Sequence, residues 1–191
     1  TSINTSRLTV KDGGIVSSST AATGNAGKLN INAEEIVVSG TSQNSFPTQI
    51  SATASILDEV ARKTYSLPPF PTGNTGEVTI NTNRLIIKDR GQLSVQHQGT
   101  GNAGKLNVFA DAIALDNGGE ITASTASGQG GNINLQVKDA LLLSDRSSIT
   151  AEAGGIGDGG NIDIEALVMA AKNNSDIVAN AIEGRGGNIQ I

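Results

Sequence analysis

Cysteine and tryptophan are absent from this chain of 191 residues, and tyrosine, methionine and histidine occur once each. Without cysteine, neither disulfides nor thiolate metal sites can hold the fold. Aromatic residues make up only 2% of the chain, so its core has to be built from Ile, Leu, Val and Ala. No apolar run approaches the ~20 residues of a membrane-spanning helix, and Thr1 does not open a signal peptide. Basic residues are outnumbered, 13 against 18 acidic, for a net charge of −5. That balance argues against nucleic acid or an anionic membrane as the main partner. Proline is confined to one stretch, at Pro47, Pro68, Pro69 and Pro71.

Glycine, by contrast, is abundant, and its placement is periodic without the triplet of collagen. The pattern Gly-x-small-Gly-x-apolar-x-apolar opens at Gly24, Gly73, Gly101, Gly128, Gly157 and Gly184, with gaps of 49, 28, 27, 29 and 27 residues. A fixed period of this size indicates stacked repeats, with one insertion accounting for the long gap. The pattern starts and stops in mid-repeat, which leads us to expect a segment of a longer array.

Each repeat holds three short runs of period-two alternation, the signature of strands. The first follows the glycines (Leu29 and Ile31, Ile162 and Ile164). The second carries Ile36 and Val38, Leu85 and Ile87, Leu141 and Leu143, Leu167 and Met169. The third carries Val16, Ile50, Leu93, Ile121, Ile149 and Ile177, each followed two places on by a small or slender residue. Between the second and third runs, Asp12, Gly40, Asp89, Asn117, Asp145 and Asn173 mark a corner that calls for left-handed backbone angles. These features predict an all-β chain, a single-stranded parallel β-helix with three strands per coil and about six coils. At ~4.8 Å per coil the rod would be on the order of 30 Å long. At the glycine turn itself we expect positive φ, for example at Gly160.

Residues 1–191 thus read as one β-helix segment, with 41–72 an insertion inside it. Within the insertion, 49–53 supplies a strand. Residues 55–64 read as a short amphipathic helix, with Ser55 as cap and Asp58–Arg62 and Glu59–Lys63 as ion pairs. The outward middle position of the second strand is apolar more often than expected: Val37, Ile86, Leu142 and Val168. We expect the inserted helix to pack over that stripe near Val37 and Ile86. The resulting candidate contact surface comprises Phe46, Ile56, Leu57, Val60, Tyr65, Phe70, Ile86, Leu142 and Val168.

The turns Gly24-Asn25-Ala26-Gly27-Lys28-Leu29-Asn30-Ile31 and Gly-Gly-Asn-Ile-x-Ile, with the Ile-x-Ala strands and Val38-Ser39-Gly40-Thr41, resemble large cyanobacterial exoproteins of the filamentous-haemagglutinin class. The resemblance covers essentially the whole chain. It implies a right-handed β-helix, secretion with an outer-membrane barrel transporter as partner, and an adhesin-like rod outside the cell or on its surface. The family's N-terminal secretion domain has no counterpart in these residues. Cell-surface glycans or proteins are the class of ligand such kinship implies.

Motifs that could carry chemistry have plainer readings. Gly99-x-Gly101-x-x-Gly104 and Gly155-x-Gly157-x-x-Gly160 match the dinucleotide fingerprint, but strands follow them where that site needs a helix. Gly154-Gly155-Ile156-Gly157-Asp158 resembles a calcium-binding nonapeptide with its Asp one place early. His97 has no second histidine and no triad spacing, and reads as a strand-end residue that points inward or caps its turn. The outward strand positions are mainly Ser, Thr, Asn and Gln. We therefore assign no catalytic, cofactor-binding or metal residue. The reading is a non-catalytic structural or adhesive rod; the alternatives are a polysaccharide-degrading β-helix enzyme and a surface-layer or matrix component.

Overall fold

The computed structural model describes residues 1–191. The chain winds through stacked tiers, each made of one long and one short strand. The long strands are β1 (Ser2–Lys11), β3 (Leu29–Ser39), β5 (Val78–Lys88), β7 (Leu106–Asp116), β9 (Ile133–Leu143), β11 (Ile162–Ala171) and the partial β13 (Ile189–Gln190). The short ones are β2 (Ile15–Thr20), β4 (Gln49–Ala54), β6 (Gln92–His97), β8 (Glu120–Thr125), β10 (Ser148–Ala153) and β12 (Asp176–Ala181). The long strands form a seven-stranded sheet and the short ones a six-stranded sheet, each in the order in which the chain visits its strands. Every pairing between them is parallel. This is a parallel β-helix.

The three expected faces exist, but the first two belong to one bent strand. In β3, Leu29 and Ile31 face inward and Asn30 and Asn32 outward. Pairing with β5 then skips Glu34, running from Ala33↔Thr82 to Glu35↔Arg84, and Ile36 and Val38 resume the inward set. One unpaired residue shifts the phase of alternation and bends the strand without breaking it. In β9 the bend holds one residue more, because Val137 pairs with Ala110 while Ala140 pairs with Ala112.

Identical inward positions stack into rows, such as Leu29–Val78–Leu106–Ile133–Ile162 and Ile50–Leu93–Ile121–Ile149. They form one cluster of 29 buried residues. Each fully buried Ile or Leu contributes on the order of 2 kcal/mol, and only the neighbouring tiers make that burial possible. The last tier departs from expectation. β11 shifts register between Ala166 and Val168, so Met169 stacks on Leu141 while Leu167 is 79% exposed. Val168 pairs with Ala140, and Ala170 rather than Val168 continues the row of Ile86 and Leu142.

The two kinds of corner use glycine differently. At the acidic corner, Asp12, Asp89, Asn117, Asp145 and Asn173 all take left-handed angles, with φ from 46° to 55°, as does Gly40 at 84°. Asn117 donates to Asp89 Oδ1 and Asn173 to Asp145 Oδ1, so successive corners are bonded side chain to side chain. At the glycine-rich corner the expected positive φ at Gly160 does not occur. The constraint there is close approach instead. A Cβ on Gly160 would collide with the carbonyl oxygen of Gly131, and Gly104, Gly131 and Gly187 stand in the same relation to the tier below them. Asn side chains tie these turns together, with Asn25, Asn74, Asn132 and Asn161 each accepting from a backbone N–H of the next tier.

The insertion also differs from expectation. Its helix, α1, is shorter (Glu59–Thr64) and is capped by Asp58 rather than Ser55. Asp58 is occupied with the Ala61 N–H, so it forms no pair with Arg62, whereas Glu59 and Lys63 do pair at 2.6 Å. The helix does not cover the stripe at Val37 and Ile86. Ile56 N–H bonds Gln98, and Thr72 N–H bonds Ala22, which sets the inserted chain at the corner between the short sheet and the glycine turns. Ser51 and Ser94, outward residues of β4 and β6, are buried, and Ser51 Oγ has no hydrogen-bond partner.

Candidate functional site

The candidate contact residues fall in separate places. Phe46 lies on the loop between β3 and β4, at the acidic corner. Ile56, Leu57, Val60, Tyr65 and Phe70 lie on the inserted chain at the glycine corner, all exposed, Val60 by 76%. Ile86 and Leu142 sit in one outward row on the second half of the long sheet, with Ile86 half-buried and Leu142 exposed. Val168 lies at the bend, out of that row. These residues do not converge on one patch.

A different feature does converge. A groove of about 810 Å³ follows the bend of the long sheet across five tiers. One side is the outward row Asn32–Asn81–Phe109–Gln136–Glu165, whose members are consecutive partners in the ladder. Along the bend run Ala33, Thr82, Ala110, Val137 and Ala166, and the other side has Asn83, Asp111, Lys138 and Leu167. The groove exists because the small bend residues stand between longer outward side chains on both flanks. At ~4.8 Å per tier, four intervals make it about 19 Å long.

The outward row begins as an amide ladder. Asn32 donates to Asn4 Oδ1 at 2.7 Å and Asn81 donates to Asn32 Oδ1 at 2.8 Å. Phe109 then interrupts it. Asn81 Oδ1 accepts no side-chain bond, and the Gln136 amide has no protein partner. On the opposite side Lys138 donates to Asp111 at 2.7 Å. That bond, then the attraction of the same carboxylate, holds the Lys138 ammonium above its ordinary pKa. Phe109 escapes a pattern reading of the sequence. The signal that could have found it is an aromatic at an outward position otherwise held by Asn, Gln and Glu.

A second cleft, about 520 Å³ and lined mainly by polar and charged residues, lies at the acidic corner beside the loop 41–48. Arg90 and Arg146 reach it from left-handed backbone positions, φ 65° and 64°, and Asp89 and Glu120 share it. Near it, a hydrogen bond from Ser144 draws the Asp116 carboxyl below its usual range, against a smaller opposing effect of burial.

His97 both points inward and caps its turn. It is 1% exposed, its Nδ1 accepts from Gly99 N–H at 2.9 Å, and its Nε2 lies 2.8 Å from Gly73 O. Accepting at one nitrogen and donating at the other requires the neutral Nε2–H tautomer. The fingerprint-like turns at Gly99–Gly104 and Gly155–Gly160 lead into β7 and β11. Asp158, of the nonapeptide-like stretch, accepts from Arg185 N–H in the next tier at 2.9 Å. No helix is long and apolar enough to cross a membrane. Compared with protein-family models, with curated proteins and with solved structures, the chain matches none.

Proposed function

We propose that this chain is a non-catalytic structural and adhesive rod segment of a haemagglutinin-like exoprotein. In this reading it is exported through an outer-membrane barrel partner and works outside the cell or on its surface. The observation that carries the proposal is the continuous parallel stacking of the two sheets, in which each tier pairs with the next from the first strand to the last. A solenoid of this kind adds length without changing cross-section, which suits a spacer that holds contact surfaces away from a cell. Its ligands would be surface glycans or proteins. The resemblance of its turns to that exoprotein class supports the export half of the reading.

Two experiments test it. Antibodies against the segment should label intact cells or the culture medium; signal confined to lysed cells would overturn export. Incubation of the full chain with acidic polysaccharides should yield neither unsaturated nor reducing ends. Turnover would overturn the rod in favour of a polysaccharide-degrading β-helix.

A further inference from the structure

We propose that the groove along the bend binds one extended, neutral glycan chain, with Phe109 as the platform on which a sugar ring stacks. The inference gives the adhesive reading its ligand class and rests on that reading only for biological setting.

Four observations carry it. The first is Phe109 itself, 37% exposed at mid-groove. Asparagine at that position would extend the bonded ladder Asn4–Asn32–Asn81 by one member, so phenylalanine forgoes a stabilising contact and exposes an apolar ring. The second is the pair of unused amides beside it. Asn81 Oδ1 and the whole Gln136 carboxamide face solvent without protein partners, and an amide can both donate and accept, as sugar hydroxyls do.

The third is charge. Asp111 and Lys138 neutralise each other, and Glu165 remains as the groove's only uncompensated charge. A uronate or sulfated chain would meet repulsion there and no free cation. The fourth is the backbone. Through β3, β5, β7 and β9 the strands run across the groove and are paired on both sides within the sheet, so an extended peptide finds no edge for strand addition over that length; only β11, which pairs with β13 at Ile162 and Asp163 alone, has an open side. Recognition must then come from side chains repeated once per tier, and one sugar ring is close in length to one tier.

Isothermal titration of the full chain with linear neutral hexasaccharides of glucose, mannose and N-acetylglucosamine tests this, with acidic pectin and alginate fragments alongside. At least one neutral hexasaccharide should bind, and more tightly than its disaccharide. Phe109→Asn should weaken binding at least tenfold while leaving the melting temperature equal or higher, and Phe109→Tyr should retain binding. No neutral ligand bound, unchanged affinity in Phe109→Asn, or preference for the acidic fragments would each overturn the groove assignment. Binding accompanied by cleavage would keep the groove and overturn the non-catalytic rod. An absence of binding with no turnover would leave the rod standing and remove the groove.

Discussion

Gly24 and Gly157 occupy the same place in their turns, yet only Gly157 is crowded by a neighbouring tier. A Cβ on Gly157 would strike the carbonyl of Gly128 in the tier below, whereas nothing lies within 4 Å of the Cβ direction at Gly24. Neither has positive φ. Gly157→Ala should therefore lower stability by about 2 kcal/mol or more, as overpacking does. Gly24→Ala should stay within about 0.5 kcal/mol of the parent. Denaturant midpoints would check both, and equal losses at the two positions would point to backbone conformation instead. Asp116 gives a second test at this scale. Its folded pKa is depressed, chiefly by Ser144, so its contribution is present above the ordinary carboxylate pKa and is lost as pH falls through the folded value. Ser144→Ala should cost about 1 kcal/mol at neutral pH. Thermal melts of the two proteins should converge as pH drops below about 4, and a difference that persists in acid would refute the assignment.

At the scale of elements, what could be read from the sequence and what could not follows from physics. Period-two alternation reports which residues face inward, so the rows through Leu29, Ile36 and Ile50 and the left-handed corners at Asp89 and Asn117 were legible. The bend between the first two faces was not, because it is made by one ordinary residue such as Glu34 leaving the ladder, with no glycine or proline to mark it. The groove arises from that bend, and so Phe109 stayed hidden among outward residues. Val168 falls elsewhere than expected because Leu167, the single bend residue of β11, is apolar and stands two places before Met169, so it imitates an inward position while lying exposed at the bend. The start of the helix is ambiguous in the sequence because Ser55 and Asp58 are both chemically able to cap, and only the Ala61 N–H decides between them. Six residues of helix with no buried side chain add little stability of their own. Replacing Ile56–Phe70 by a short glycine-serine linker should leave the β-sheet circular dichroism unchanged. Loss of the sheet signal would show that the insertion is part of the core.

For the whole molecule, stacking makes stability a nearest-neighbour property. Ile121→Ala, at a fully buried position of β8, should cost about 3 kcal/mol. Hydrogen exchange should quicken first in β6, β8 and β10 and least in β2. Uniform loss of protection would mean that the rod melts as one unit. The stacking itself can be measured directly. Ser2, Asn30, Thr79, Asn107, Asn134, Asp163 and Gln190 form one outward row, one residue per tier. The chain has no cysteine, so single pairs of spin labels can be placed on it without background. Double electron–electron resonance should give backbone separations that grow by about 4.8 Å per tier, near 19 Å for Asn30–Asp163 and near 29 Å for Ser2–Gln190. The 49 residues from Asn30 to Thr79 should count as one tier, like the 29 from Asn134 to Asp163. Separations that follow sequence distance instead of tier number would contradict the parallel β-helix and everything built on it.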